Sequence, residues 1–350
     1  MELPESANTI FQKLWDDTKQ GVHCEKTSAL DIFHAYRLLL NRLPEDSSIE
    51  NLRQRAAEFP TLQALLFGFT ASREFRSRYY GHSNRPDGHM VIVRDGDLRF
   101  SVNLHDLVIG WSIINGVYEL TTRRIVESLV QPGWRCLDIG ANLGYFSAIL
   151  GRACGSTGRV FSFEPHPALF GMLETTIGES GLGATVTASQ CACSDASGTI
   201  TLLHAADTNN WGGSFVFAGP VDETGGLQTT QVPMTALDDS PVSTESIDFV
   251  KMDIEGGEYH TLQGMTKLVA RCKPIMVLEV FEAGLNRRGI GQRELFGLLG
   301  EWEYDLLAIS ENPESERIGV SALETDLGPY EGNVLCVPKG RQEQVLSRLG

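Results

Sequence analysis

The sequence predicts an α/β fold: a doubly wound, mostly parallel sheet of seven strands with helices on both faces, preceded by a small all-α domain. Three observations predict it. From residue 134 onward, short apolar runs alternate with helix-period segments, the pattern of a parallel sheet. The first such run passes through a glycine turn into a helix, and the second ends in a carboxylate twenty residues after that turn. Residues 1–85 show only helical periodicity. A strand, a glycine turn and a helix start form the ligand-binding corner of Rossmann-like sheets.

In chain order, Ile10, Phe11, Leu14 and Trp15 share one helical face. Leu30, Phe33, Tyr36, Arg37 and Leu40 form a second stripe up to Pro44, and Leu62, Leu65, Leu66, Phe69 and Phe75 a third. Nothing here has catalytic character, so residues 1–85 are read as an accessory or interaction domain through which copies would associate. Residues 81–88 form a polar linker rich in glycine and proline. Residues 90–102 alternate apolar and polar side chains around Asp95-Gly96, which predicts a two-residue hairpin. An amphipathic helix from Tyr118 to Val130 ends before Pro132-Gly133.

The seven strands are expected at 135–139, 159–163, 185–191, 247–252, 275–281, 304–309 and 332–338. The last two are joined by a loop, so the final strand should run antiparallel. All belong to a second domain, 86–350, interrupted by an insertion at 198–235 whose β-prone ends predict a hairpin over the pocket.

The corner itself is Trp134-Arg-Cys-Leu-Asp-Ile-Gly-Ala-Asn-Leu-Gly-Tyr-Phe-Ser147. Its glycines, Gly140 and Gly144, are spaced G-x-x-x-G, which suits a ligand without phosphate, such as S-adenosylmethionine (SAM), better than a dinucleotide. Unpaired N–H groups at the helix start are expected to face that ligand. Val160-Phe-Ser-Phe-Glu-Pro165 ends in Glu164, whose carboxylate can accept both ribose hydroxyls. A second constellation is Ile247-Asp-Phe-Val-Lys-Met-Asp-Ile-Glu-Gly-Gly-Glu-Tyr-His260. There Asp253, Glu255 and Glu258 crowd the turn after a buried strand, facing the same crevice.

The 350 residues carry a formal charge of −16, which argues against nucleic-acid and anionic-membrane partners. No apolar run reaches membrane length, and the first thirty residues lack the pattern of a secretory leader. Seven cysteines without a C-x-x-C pair read as free thiols of a reducing compartment, so a cytoplasmic protein is expected.

Asp138-Ile-Gly-Ala-Asn-Leu-Gly-Tyr-Phe146, Phe163-Glu-Pro-His-Pro167, Thr235-Ala-Leu-Asp238 and Lys251-Met-Asp-Ile-Glu-Gly-Gly-Glu258 together resemble the FkbM-type family of SAM-dependent methyltransferases, class I enzymes, over about residues 118–338. Gly257 departs from the family, which often has alanine there. The resemblance implies O-methylation of hydroxyls on saccharides, glycolipids or secondary metabolites. It implies SAM contacts from the first two motifs, so Asp138, Gly140, Asn142, Gly144, Tyr145, Glu164 and Pro165 are candidates, joined by Ser194 and Asp195 near the adenine edge. Tyr118-Glu119 resembles a family pair at the pocket mouth, with Glu119 assigned to the cofactor and Tyr118 to the acceptor. Asn210-Trp211-Gly-Gly-Ser214 resembles a family stretch that meets SAM or the acceptor. Residues 36–44 and 69–75 resemble a helical module found beside bacterial glycan-related and surface-protein domains.

An alcohol is a poor nucleophile until a base or a metal lowers its pKa. Asp253 is the first candidate for either task, with Glu255 and Glu258 as partners. Glu279 and Glu282 are placed to complete an oxygen-rich site with Asp253 for Mg²⁺. The rival reading of these acids is helix-dipole stabilisation of the following turn. His166 reads as a helix-start residue, His260 points away from Glu258, and His105 and His204 lack sequence neighbours that would make them bases. Two other functions stay open, methylation of an amino group and a SAM-binding protein without turnover. The first is weakened because no Asn/Asp-Pro-Pro-aromatic tetrapeptide follows the strand, the second because the acidic triplet is intact.

Overall fold

In the computed structural model the described residues are 27–39, 43–46, 48–59, 65, 68, 90–103, 106, 108–204, 214–217, 227–310, 318–324 and 329–349. The chain divides into two compact units, Met1–Pro86 and Asp87–Gly350. In the first, helix α1 (Ala29–Leu39) packs against α2 (Ile49–Glu58) through Ile32, Phe33, Tyr36 and Leu52. Ser48 caps α2 by accepting from the Asn51 amide at 3.3 Å. The expected stripe at residues 10–15, most of the third stripe and the 81–88 linker lie outside the described residues.

The second unit opens with the hairpin β1 (Met90–Asp95) and β2 (Leu98–Asn103). Asp95 pairs with Leu98, so the two-residue turn is Gly96-Asp97, one position later than the sequence predicts. Gly96 supplies the positive φ (+60°) that such a turn needs at its first central position. Helices α3 (Ile109–Ile114) and α4 (Leu120–Leu129) follow. Then come β3 (Arg135–Ile139), α5 (Tyr145–Cys154), β4 (Arg159–Phe163), α6 (Pro167–Glu179) and β5 (Val186–Ser189).

The predicted third strand stops at Ser189 because the chain changes sheets there. β6 (Ala192–Cys193) pairs instead with β9 (Gln228–Thr235), which pairs with β7 (Gly198–His204), and β7 with β8 (Phe215–Phe217). The insertion is therefore a four-stranded sheet built on the expected hairpin. Next come β10 (Phe249–Met252), α7 (Glu258–Gln263), α8 (Thr266–Cys272), β11 (Ile275–Phe281), α9 (Glu282–Arg287) and α10 (Gln292–Glu301). The chain ends in β12 (Tyr304–Ser310), β13 (Gly319–Ala322), β14 (Glu331–Pro338) and α11 (Gln342–Leu349).

All seven expected strands lie in one sheet, ordered β13-β12-β14-β11-β10-β3-β4-β5. β13 is an eighth strand at the edge, too short and polar to read from its sequence. The pairs from β11 to β5 are parallel, while β14 is antiparallel to β11 and β12, as the loop connection predicted. Central strands such as Phe249-Val-Lys-Met252 are buried along their whole length because helices cover both faces. Ile125, Ile149, Leu150 and Leu173 pack on one face, and Leu262, Leu268, Leu285 and Leu295 on the other. The order reverses between β3 and β10, which opens a crevice at their carboxyl ends.

Candidate active site

A cavity of about 340 Å³ occupies that crevice. Asp138, the last residue but one of β3, lies there directly across from Lys251 of β10. Asp138 is buried, and its Oδ2 accepts from Ser147 Oγ at 2.5 Å. Burial raises its pKa to about 6, against the opposing pull of the Ser147 hydroxyl and Lys251.

The turn after β3 is closed on itself. Gly140 and Ala141 N–H both donate to Phe163 O, Asn142 N–H to Glu164 Oε2, Leu143 N–H to Asn142 Oδ1, and Gly144 N–H to Ala141 O. The five amides of the turn, residues 140–144, are thus already paired within the protein, ahead of the helix start at Tyr145. Gly140 is required by the protein itself: at φ +80°, a Cβ would stand 1.8 Å from Asp253 O. Gly144 does not line the cavity; its Cβ position is filled by Leu173 of α6, so this glycine serves helix packing.

Glu164, at the end of β4, lines the cavity with Pro165. Its Oε1 accepts from His166 N–H and its Oε2 from Asn142 N–H, both at 2.8 Å. Burial lifts its pKa to about 7, partly opposed by those two bonds. His166 is the helix-start residue the sequence suggested, its Nδ1 accepting from Ala168 N–H and Leu169 N–H. Its ring meets His204 edge-on at 4.8 Å, a pairing that sequence distance concealed, and His204 Nε2 lies 2.9 Å from Thr230 Oγ1. His105 lies outside the described residues.

At the other end, Asp253 follows β10 and its side chain is 26% exposed, toward the cavity. Burial raises its pKa, but the Lys251 charge and hydrogen bonds from Glu279 and Lys251 outweigh that and hold it below the usual carboxylate range. Glu279, on β11, is pushed up to about 10, first by the Asp253 charge and then by burial. The Asp253 charge and burial thus both favour the protonated form of Glu279. Glu255 lines the cavity in a left-handed backbone conformation, its pKa raised to about 7 by burial and by Asp253. Glu258 does not line it. Its Oε1 accepts from the Ile254 and Gly256 amides at 3.2 and 3.3 Å, so it holds the turn together.

Glu119 and Tyr118 lie on the cavity wall, with Asn333 Nδ2 donating to Glu119 Oε2 at 3.1 Å. Tyr145 is also on the wall, packed against Phe100, Tyr118 and Phe146, and its hydroxyl donates to Tyr118 O. The insertion sheet contributes Leu202, Ser214 and Val216. Asn210 and Trp211 lie outside the described residues. Ser194 and Asp195 do not line the cavity; the chain reaches it two residues earlier, through Cys191, Ala192 and Cys193. Burial keeps those thiols protonated, Cys191 at about 11.

The oxygen-rich Mg²⁺ site expected from Asp253, Glu279 and Glu282 is not formed. Glu282 is turned to Asn286 Nδ2 and Gln292 N–H, and an ammonium stands beside Asp253. Among the described residues, no group of three or more histidine, cysteine, aspartate or glutamate side chains is arranged to hold a metal ion. Sequence reasoning missed Lys251, Arg288 and Asn333 on the wall. A lysine inside the apolar strand Phe249-Val-Lys-Met252 was a readable signal, since a buried charge demands partners. Asn333 and Arg288 carried none.

A doubly wound sheet with an acidic cavity at its switch point, lined by carboxylates at the ends of β3, β4, β10 and β11, is a ligand-binding architecture of the Rossmann-like class. The model of the methyltransferase FkbM domain matches residues 138–314, half of the chain, and the protein belongs to that family. Similar solved structures include a methyltransferase FkbM from Methylobacillus flagellatus KT (15% identity, 88% of this chain, TM-score 0.39). The chain spans 59% of that protein's length. Two others are the O-methyltransferase from Bacillus cereus in complex with S-adenosylhomocysteine (SAH), at 16% identity, 63% and 81% of the two chains and TM-score 0.38, and the O-methyltransferase TomG of tomaymycin synthesis from Streptomyces achromogenes in complex with SAM, at 16%, 63% and 79%, and TM-score 0.37. No curated protein matches the chain. Among the described residues no helix is long and apolar enough to cross a membrane.

Proposed function

We propose that the chain is a SAM-dependent O-methyltransferase acting on a hydroxyl of a saccharide, glycolipid or secondary metabolite, in a reducing, cytoplasmic setting. The observation that carries the cofactor is the cavity's charge. Six carboxyl groups line it (Glu119, Asp138, Glu164, Asp253, Glu255, Glu279) against two cations, Lys251 and Arg288, and every amide of the glycine turn is already paired. A pyrophosphate would meet negative charge and a turn whose own amides are taken, whereas a sulfonium is attracted. Free thiols at all six described cysteines fit the reducing setting.

SAM supplies a methyl group already activated by its sulfonium. The chain's own groups bind, orient and take up the proton. Glu164 keeps a lone pair on each oxygen for a ribose hydroxyl, while Ile139, Phe163, Leu169 and Ala192 offer apolar surface to the base. Asp138 faces the methionine end. Asp253, ionised and open to the cavity, accepts the acceptor's proton, and Glu255 flanks it. A hydroxyl acceptor needs such a base, which favours oxygen over a neutral amine. Tyr118 and Ser214 line the acceptor side in this reading. The helical unit is an accessory part through which copies associate, checked by light scattering of the full chain, where a monomer at all concentrations would count against it.

The test is calorimetric titration with SAM, SAH and NAD, repeated on Glu164→Ala. Binding of both adenosyl ligands, weakened at least tenfold in the variant, supports the reading. Equal binding of NAD, or no adenosyl binding, sinks it.

A further inference from the structure

Lys251 is a fixed cation at the centre of the acidic wall. It is 1% exposed, and its Nζ lies 3.3 Å from Asp253 Oδ2 and 3.7 Å from Glu119 Oε2. The ammonium also sits over the Phe146 ring, 5.1 Å from its centroid, which closes one side of its surroundings to water. Glu119 is held in turn by Asn333 of β14, and Asn333 is the register partner of Glu279 on β11. Carboxylates from the end of β10 and the start of α4 thus meet at one charge, and β14 steadies the second of them. A divalent ion there would need six or so oxygen ligands with several waters. The ammonium supplies a compact charge on its own stem, and it already takes up one of the two Asp253 oxygens that a metal could bind.

We propose that Lys251 is a positioning residue that takes the place of a divalent metal, pinning the Asp253 carboxylate toward the acceptor so that the reaction needs no bound metal. The inference rests on the methyltransferase reading above, in which Asp253 is the base. Metal-assisted alcohol chemistry uses the ion to orient and to stabilise developing charge. Here the orienting part is built into the strand, two residues before the base it serves.

Mn²⁺ titration followed by the electron paramagnetic resonance signal of the free ion tests this on the full-length protein. Wild type and Asp253→Asn should bind Mn²⁺ equally, within twofold, because wild type has no Asp253-dependent site. Lys251→Ala, with its carboxylates freed and space opened, should gain one site at least tenfold tighter, lost again in Lys251→Ala with Asp253→Asn. Lys251→Arg should gain none. A wild-type site that depends on Asp253, or no gain in Lys251→Ala, overturns the proposal. Should Lys251→Ala not fold, Lys251→Met takes its place, and the comparison of wild type with Asp253→Asn still decides. SAM calorimetry on the same wild-type sample keeps the two readings apart. Loss of adenosyl binding condemns the cofactor assignment, whereas the Mn²⁺ result speaks only to Lys251.

Discussion

Glu164→Gln separates the stability of the folded chain from its capacity to bind. Glu164 is 5% exposed, and its pKa is raised from the ordinary 4.5 to about 7, chiefly by burial. A group whose pKa rises on folding contributes stability in full below the unfolded value and loses it as pH climbs through the folded value. The interval between 4.5 and 7 corresponds to about 3 kcal/mol, lost between roughly pH 4.5 and pH 8. Glutamine does not titrate, so the variant escapes that loss. Its amide has one acceptor for two backbone donors, Asn142 and His166, which costs about 1–2 kcal/mol at any pH. The variant should therefore be less stable than wild type at pH 5 and more stable, by about 1–2 kcal/mol, at pH 8. Urea unfolding at both pH values, followed by intrinsic fluorescence, measures the crossing. SAM affinity at pH 8 should fall by about 2 kcal/mol, roughly thirtyfold, because one charge-assisted acceptor is gone. An identical stability difference at pH 5 and pH 8 would refute the burial argument, and undiminished SAM affinity would refute the ribose assignment.

Two further outcomes are expected. Gly140→Ala, with its Cβ 1.8 Å from Asp253 O at φ +80°, should lose at least about 3 kcal/mol, and an unchanged melting temperature would show that the close approach is not real. SAM binding at pH 7 should release about one proton, since Glu164 and Glu255 both titrate near 7 and a cation favours their ionised forms. Calorimetry in two buffers of different ionisation enthalpy reads this, with SAH releasing less, and a SAM enthalpy independent of buffer would contradict it.

Much of the site was legible because carboxylates at strand ends are fixed by the fold. Asp138, Glu164 and Asp253 each end or follow a strand whose period is clear, so their convergence follows from strand order. What the sequence hid was the use of each group. G-x-x-x-G looked like a ligand cradle, yet Gly140 makes room for the backbone of residue 253 and Gly144 for Leu173. Glu258 looked catalytic, yet it binds amides of its own turn. Such choices depend on which neighbour arrives first, and that is tertiary information. Asn333 was illegible for the same reason: it reaches Glu119 from 214 residues away. Lys251 is different, because a charge in an apolar strand is a local contradiction that only an internal partner resolves.

Three of the cavity's residues, Glu119, Asn142 and Glu255, hold left-handed backbone at φ +40°, +52° and +56°. Outside glycine that conformation costs of order 1–3 kcal/mol each, and it persists only where surrounding structure imposes it. Burial keeps Glu164 and Glu255 near neutrality's edge, the Asp253 charge and burial favour the protonated Glu279, and the wall sets six carboxyls against two cations. Strain and unbalanced charge meet on one surface, and a cation arriving from outside would relieve the second of them. Lys251 supplies the permanent half of the compensation, its charge holding the Asp253 carboxyl below the usual range against the effect of burial. The sulfonium of the proposed cofactor supplies the other half, and methyl transfer removes that charge. The wall therefore binds the cofactor more tightly before transfer than after it, which favours exchange of the spent cofactor for a fresh one.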